Sequence, residues 1–118
     1  MLLHVQQGGG ANGARVPLKH YARHLRISIM QYAGNDSEGK PKSDYIALVA
    51  EMSLGTLAKE SELYVVMTNM NLGNVMHDSH WKYSALKDEC IRRMRWDIFH
   101  SAARRARKTL SSIKKAAQ

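Results

Sequence analysis

Arg104, Arg105, Arg107, Lys108, Lys114 and Lys115 place six cations within twelve residues, and no acidic residue interrupts them. Side chains of this kind do electrostatic rather than bond-making chemistry. Their guanidinium and ammonium groups donate hydrogen bonds to phosphate or carboxylate oxygens. At this density they repel one another unless an anionic partner neutralises them. The bias continues upstream in diluted form. From Lys82 to Gln118 there are eleven Lys and Arg against three acids, a balance of +8 that equals the formal net charge of all 118 residues. The first 81 residues are therefore neutral, and the expected partner of the C-terminal part is a polyanion.

Within the diluted part, Arg92 and Arg95 join the candidate phosphate contacts. Asp88–Arg92 and Glu89–Arg93 stand four residues apart, so part of this charge is expected to compensate itself along a helix face. A second basic strip, Arg15, Lys19, Arg23 and Arg26, is spaced four, four and three residues apart, hence on one helical face, with His20 and His24 beside it. It competes with the bland alternative of an ordinary solvated face. If functional, it lines one groove with the C-terminal cations, and Gly8 to Gly13 brings backbone N–H groups to phosphates. Trp81 and Tyr83, next to a polar turn, are the candidates for stacking on unpaired bases, whereas Trp96 and Phe99 are expected in the core.

Other chemistry finds little support. His77 and His80 could share a metal, but third and fourth ligands are not apparent nearby, so no metal site is expected. Asp78 or Ser79 as a helix cap accounts for the same segment. Cys90, four residues from both Leu86 and Met94, reads as a small core residue rather than a reactive thiol. The chain shows no Ser/His/Asp set, no phosphate-binding Gly-Lys-Thr loop and no inward carboxylate pair. A non-catalytic protein without a cofactor is the expectation.

The elements that must carry these residues follow from apolar spacing. Residues 1–14 read as a flexible, irregular Gly-rich arm, with too little side chain to bury. Residues 15–118 read as a single helical domain. Pro17 suits a first helical turn, and Leu18, Tyr21, Ala22, Leu25, Ile29 and Tyr32 make one stripe over a helix near 17–33. Gly34-Asn35 stops it. Ser43 is the expected cap of a helix near 44–54, which Gly55 breaks. Thr56 is the expected cap of a helix near 57–71. A long helix over 80–116 closes the chain, since Lys82 to Gln118 contains neither Gly nor Pro to stop it. The fold class is thus all-α, a small four-helix bundle with a long cationic C-terminal helix. An apolar fraction of 44% agrees with a packed core.

One cysteine and the absence of a charged start and apolar core after Met1 predict a reducing, cytoplasmic setting. No apolar run is long enough to cross a bilayer, and the apolar side of the cationic helix is mostly Ala, a poor membrane-surface face. A helix-turn-helix over residues 45–70 fails, because its reading helix would offer Glu60, Glu62 and Tyr64 to phosphates with Lys59 as its one cation. In size, charge and helicity the chain resembles the small helical subunit of multi-protein CRISPR interference complexes, which lines a nucleic-acid groove in repeated copies. That resemblance carries no individual residue over. It implies a nucleic-acid-binding subunit that meets DNA or RNA through the backbone, among other protein subunits or copies of itself. The alternative is a phage or mobile-element protein whose basic tail docks on an acidic protein partner.

Overall fold

A left-handed turn at Met94 divides the basic C-terminal region into two helices, Asp78–Arg92 and Trp96–Ala116, where one uninterrupted helix over 80–116 was expected. The turn is a Schellman motif. Arg95 N–H donates to the Cys90 carbonyl at 2.8 Å and Met94 N–H to that of Ile91 at 2.9 Å, which satisfies carbonyls the helix end leaves open. Glycine normally takes this position, yet Met94 adopts φ 59° there. Side chains on either side hold the turn. The Arg93 guanidinium donates to the backbone oxygens of Val49 and Ala50 at 3.1 and 3.2 Å. Arg95 pairs with Asp97 in the first turn of the next helix.

The computed structural model describes residues 32–117. They form an all-α bundle of four helices, with no strand among the described residues: α1 Lys42–Ala50, α2 Leu54–Met70, α3 Asp78–Arg92 and α4 Trp96–Ala116. The expected arm over 1–14 and residues 17–31 of the expected helix near 17–33 lie outside the described residues, and its last two positions, 32 and 33, are not helical. A loop precedes α1, closed by a bridge between Asn35 and Pro41. Asp36 braces it by accepting the N–H groups of Glu38 and Lys40, and Gly34 and Gly39 take φ of 82° and 84°.

The caps differ from those expected. Pro41, not Ser43, precedes α1. Ser53 rather than Thr56 caps α2, its Oγ accepting the Thr56 N–H at 3.1 Å, and Gly55 sits inside the first turn instead of breaking the helix. His77 caps α3, its Nδ1 accepting the Ser79 N–H, in place of Asp78 or Ser79. In each case the capping residue lies one to three positions upstream of the expected one, a shift that periodicity alone does not resolve.

α2 packs against both α3 and α4 and carries the centre of the core. Val49, Leu57, Val65, Leu86, Cys90, Phe99 and Ala106 make one buried cluster. Truncating Leu86, which is fully buried, to Ala is expected to cost about 2–5 kcal/mol. Ala102 and Ala106 are also fully buried, so α4 keeps a narrow apolar seam and leaves the rest of its circumference to solvent.

Candidate nucleic-acid interface

The five cations that lead up to α4 are all engaged internally. Lys82 places its ammonium 4.9 Å from the Tyr45 ring and 5.7 Å from those of Tyr64 and Trp81. Lys87 lies 5.9 Å from the Trp96 ring. Arg92 and Arg93 both bind Glu89, Arg93 through Nε at 2.6 Å. Arg95 Nη2 stands 3.0 Å from Asp97 Oδ2, a partnership that holds its guanidinium above its ordinary pKa. Glu89 is the hub. Burial works against its charge, but hydrogen bonds from Arg92 and Arg93 outweigh that and hold its carboxyl below the usual range.

Beyond Phe99 the picture changes. Arg105 meets Glu62 of α2, its Nε 2.8 Å from Oε1. Arg104, Arg107, Lys108, Lys114 and Lys115 are exposed and make no side-chain hydrogen bond or ion pair with the described residues. Helical geometry sets their layout. Phe99, Ala102 and Ala106 face the core, so Arg104, Lys108, Ser111 and Lys115, at steps of four, three and four, form a row on the opposite side. Arg107 and Lys114 flank that row on one edge. The central row spans about 16 Å at 1.5 Å per residue. From Ser111 to Ala117 every residue is exposed, so the end of α4 stands clear of the bundle.

The remaining expected contacts fall elsewhere. Arg92 and Arg95 are held by acids, as above, away from the α4 row. Arg15, Lys19, Arg23 and Arg26 lie outside the described residues. Trp81 is only 6% exposed, which corrects its expected role as an open stacking platform. Its Nε1 donates to Asp78 at 2.9 Å and its ring meets Tyr45 edge-on at 5.5 Å. Tyr83 is half-buried, edge-on to Phe99 at 5.4 Å. Trp96, expected in the core, packs at its margin and stacks on Phe99.

His77 and His80 act locally. His77 Nδ1 bonds Ser79, and His80 Nε2 lies 2.9 Å from the Asn71 carbonyl. Among the described residues no cluster of three or more His, Cys, Asp or Glu is arranged to hold a metal. Cys90 is fully buried, and burial pushes its thiol up to about 12, the reverse of what a nucleophile needs. Asp78, which anchors the preceding loop through Ser37, is held below its usual pKa because bonds from Ser37 and Trp81 outweigh partial burial. No described helix is long and apolar enough to cross a membrane.

The Arg105–Glu62 pair was not foreseen, because nothing local in the sequence relates positions on two different helices. Its effect is to neutralise one edge of α4 while the opposite edge stays cationic. Comparison of the chain with known protein families, curated proteins and solved structures finds no match.

Proposed function

We propose that this chain is a non-catalytic nucleic-acid-binding subunit of a larger nucleoprotein complex, contacting the phosphate backbone through α4 without strong sequence specificity. The observation that carries this reading is the division of the cations. Those from Lys82 to Arg95 each meet a carboxylate or an aromatic ring of the chain, whereas five on α4 are exposed and partnerless among the described residues. Unneutralised charge at that density is unfavourable unless a polyanion meets it. Contacts from lysine and arginine to phosphate oxygens hold a protein on the backbone without specifying bases. Membership of a complex draws support from a second surface. At the corner between α2 and α3, Met70, Leu72, Val75 and Met76 are 62–84% exposed, the kind of apolar patch that protein neighbours cover.

Fluorescence anisotropy of the full chain against labelled mixed-sequence nucleic acids and a polyglutamate control tests the reading. Four to five phosphate contacts give a slope of log K against log salt of about −4 on duplex DNA, shallower on single strands. Scrambling the sequence at fixed length should leave affinity nearly unchanged. Polyglutamate binding as strong as that of any nucleic acid would instead assign the row to an acidic protein partner.

A further inference from the structure

We infer that the polyanion is B-form duplex DNA and that α4 lies in its major groove from His100 to Lys115. This rests on the nucleic-acid reading above and narrows it to one kind of strand. Three observations lead there.

The first is the fate of the aromatic rings. Proteins that hold single strands stack bases on exposed aromatic side chains. Among the described residues, every Phe, Tyr and Trp is buried or half-buried. Tyr32, Tyr45, Tyr64 and Trp81 pack on one another, and Tyr83, Trp96 and Phe99 form a second cluster. From His100 to the end of the chain no aromatic residue other than the exposed His100 occurs at all. The cationic surface therefore offers no Phe, Tyr or Trp platform for an unpaired base, and a single imidazole, His100, at its inner end.

The second is shape. The cations sit on a single helix whose apolar seam is narrow and whose outer side is open over more than four turns. An α-helix is about 10–12 Å across with side chains, and the B-DNA major groove is about 12 Å wide and 8.5 Å deep. The major groove of A-form RNA is too deep and narrow to admit it. Ser111 and Ser112 keep the outward side slim where the helix leaves the bundle.

The third is charge placement. Arg104, Lys108 and Lys115 run along the outward row, and their long stems can reach either groove wall. Arg107 and Lys114 face one wall only. On the other edge Arg105 is already paired with Glu62. Docking is thus lopsided, stronger to one strand. Arg104 is the one guanidinium on the row, the group whose planar fork matches guanine O6 and N7, so a preference for guanine opposite it is the strongest sequence reading this face supports.

The test is a binding comparison at one salt concentration. The full chain is titrated with a mixed-sequence DNA duplex, its isolated single strand, the matching RNA duplex, and the same DNA duplex with glucosylated 5-hydroxymethylcytosines filling the major groove. Polyglutamate is the control. The unmodified DNA duplex should bind about tenfold or more tighter than each of the other nucleic acids. Arg104→Gln with Lys108→Gln should reduce the salt slope on that duplex by about 2, with the helical circular dichroism unchanged. Equal or tighter binding to the single strand or the RNA duplex, or indifference to the filled groove, overturns the inference and leaves the nucleic-acid reading standing. Binding to no nucleic acid better than to polyglutamate overturns both.

Discussion

α3 with its closing turn and α4 carry five and six Lys or Arg respectively, yet the two segments use them in opposite ways. In the first, Glu89 and Asp97 take three of the cations and aromatic rings take the other two. In the second, a single carboxylate, Glu62, reaches across from α2 to one arginine. Charge density alone does not mark a binding surface, since both segments would look alike on that measure. What separates them is whether each charge already has a partner inside the fold. Cations around Glu89 maintain the joint between α3 and α4, and cations past Phe99 are available to something else.

The largest expected effect breaks that comparison directly. Replacing Arg104, Arg107, Lys108, Lys114 and Lys115 together by Gln should take nucleic-acid binding from the range of about 10⁻⁴–10⁻⁶ M, typical of backbone contact, to beyond measurement. Thermal unfolding should barely change. Arg92→Gln with Arg95→Gln should do the converse, keeping most of the affinity while lowering stability. Equal loss of binding in the two variants would erase the distinction.

Next in size is Glu89→Ala. It leaves Arg93, whose side chain is only 17% exposed, without a carboxylate partner, and should cost about 2–4 kcal/mol in denaturant unfolding. The folded fraction should bind as before. A stability within about 0.5 kcal/mol of the parent would show that the Glu89 hub contributes nothing to the joint.

The pH dependence is smaller and has a defined sign. The Glu89 carboxyl has a depressed pKa in the fold, so its contribution is complete above the unfolded-state carboxylate pKa. It is lost as pH falls through the lower folded-state value. Unfolding midpoints measured on the acid side should therefore drop more steeply for the parent than for Glu89→Gln. Parallel acid limbs would contradict this.

The smallest change is expected at Met94. Gly tolerates φ 59° without the Cβ penalty but removes the Met side chain, which is half-buried. Met94→Gly should therefore shift stability by less than about 1 kcal/mol, whereas β-branched Met94→Val should lower it by more. Similar unfolding midpoints for the two variants would argue against a left-handed turn at this position.

Much of the fold was legible because it depends on local periodicity. Leu86 and Cys90, four residues apart, fall into the core together, and Glu89–Arg93 pairs at four residues. The turn at Met94 was not legible. Its signal would normally be Gly, and here the stop is imposed by Arg93 reaching the end of α1, 43 and 44 residues earlier in the chain. Trp81 was misplaced for the same kind of reason. Its neighbours in sequence are polar, but its burial comes from Tyr45 on another helix. The free cations were legible as composition. That Arg105 leaves their number could be known only once α2 and α4 were side by side.

The chain's single thiol has a practical consequence. Cys90 is sealed at the base of the α3–α4 joint, with its ionisation pushed far above neutral pH. An alkylating reagent can reach it only when that joint opens, so the labelling rate follows the opening itself. With one site per chain, mass spectrometry counts each molecule once, as modified or unmodified. The protein thereby reports its own breathing, and a ligand that clamps α4 against the bundle would slow that clock without any label on the ligand.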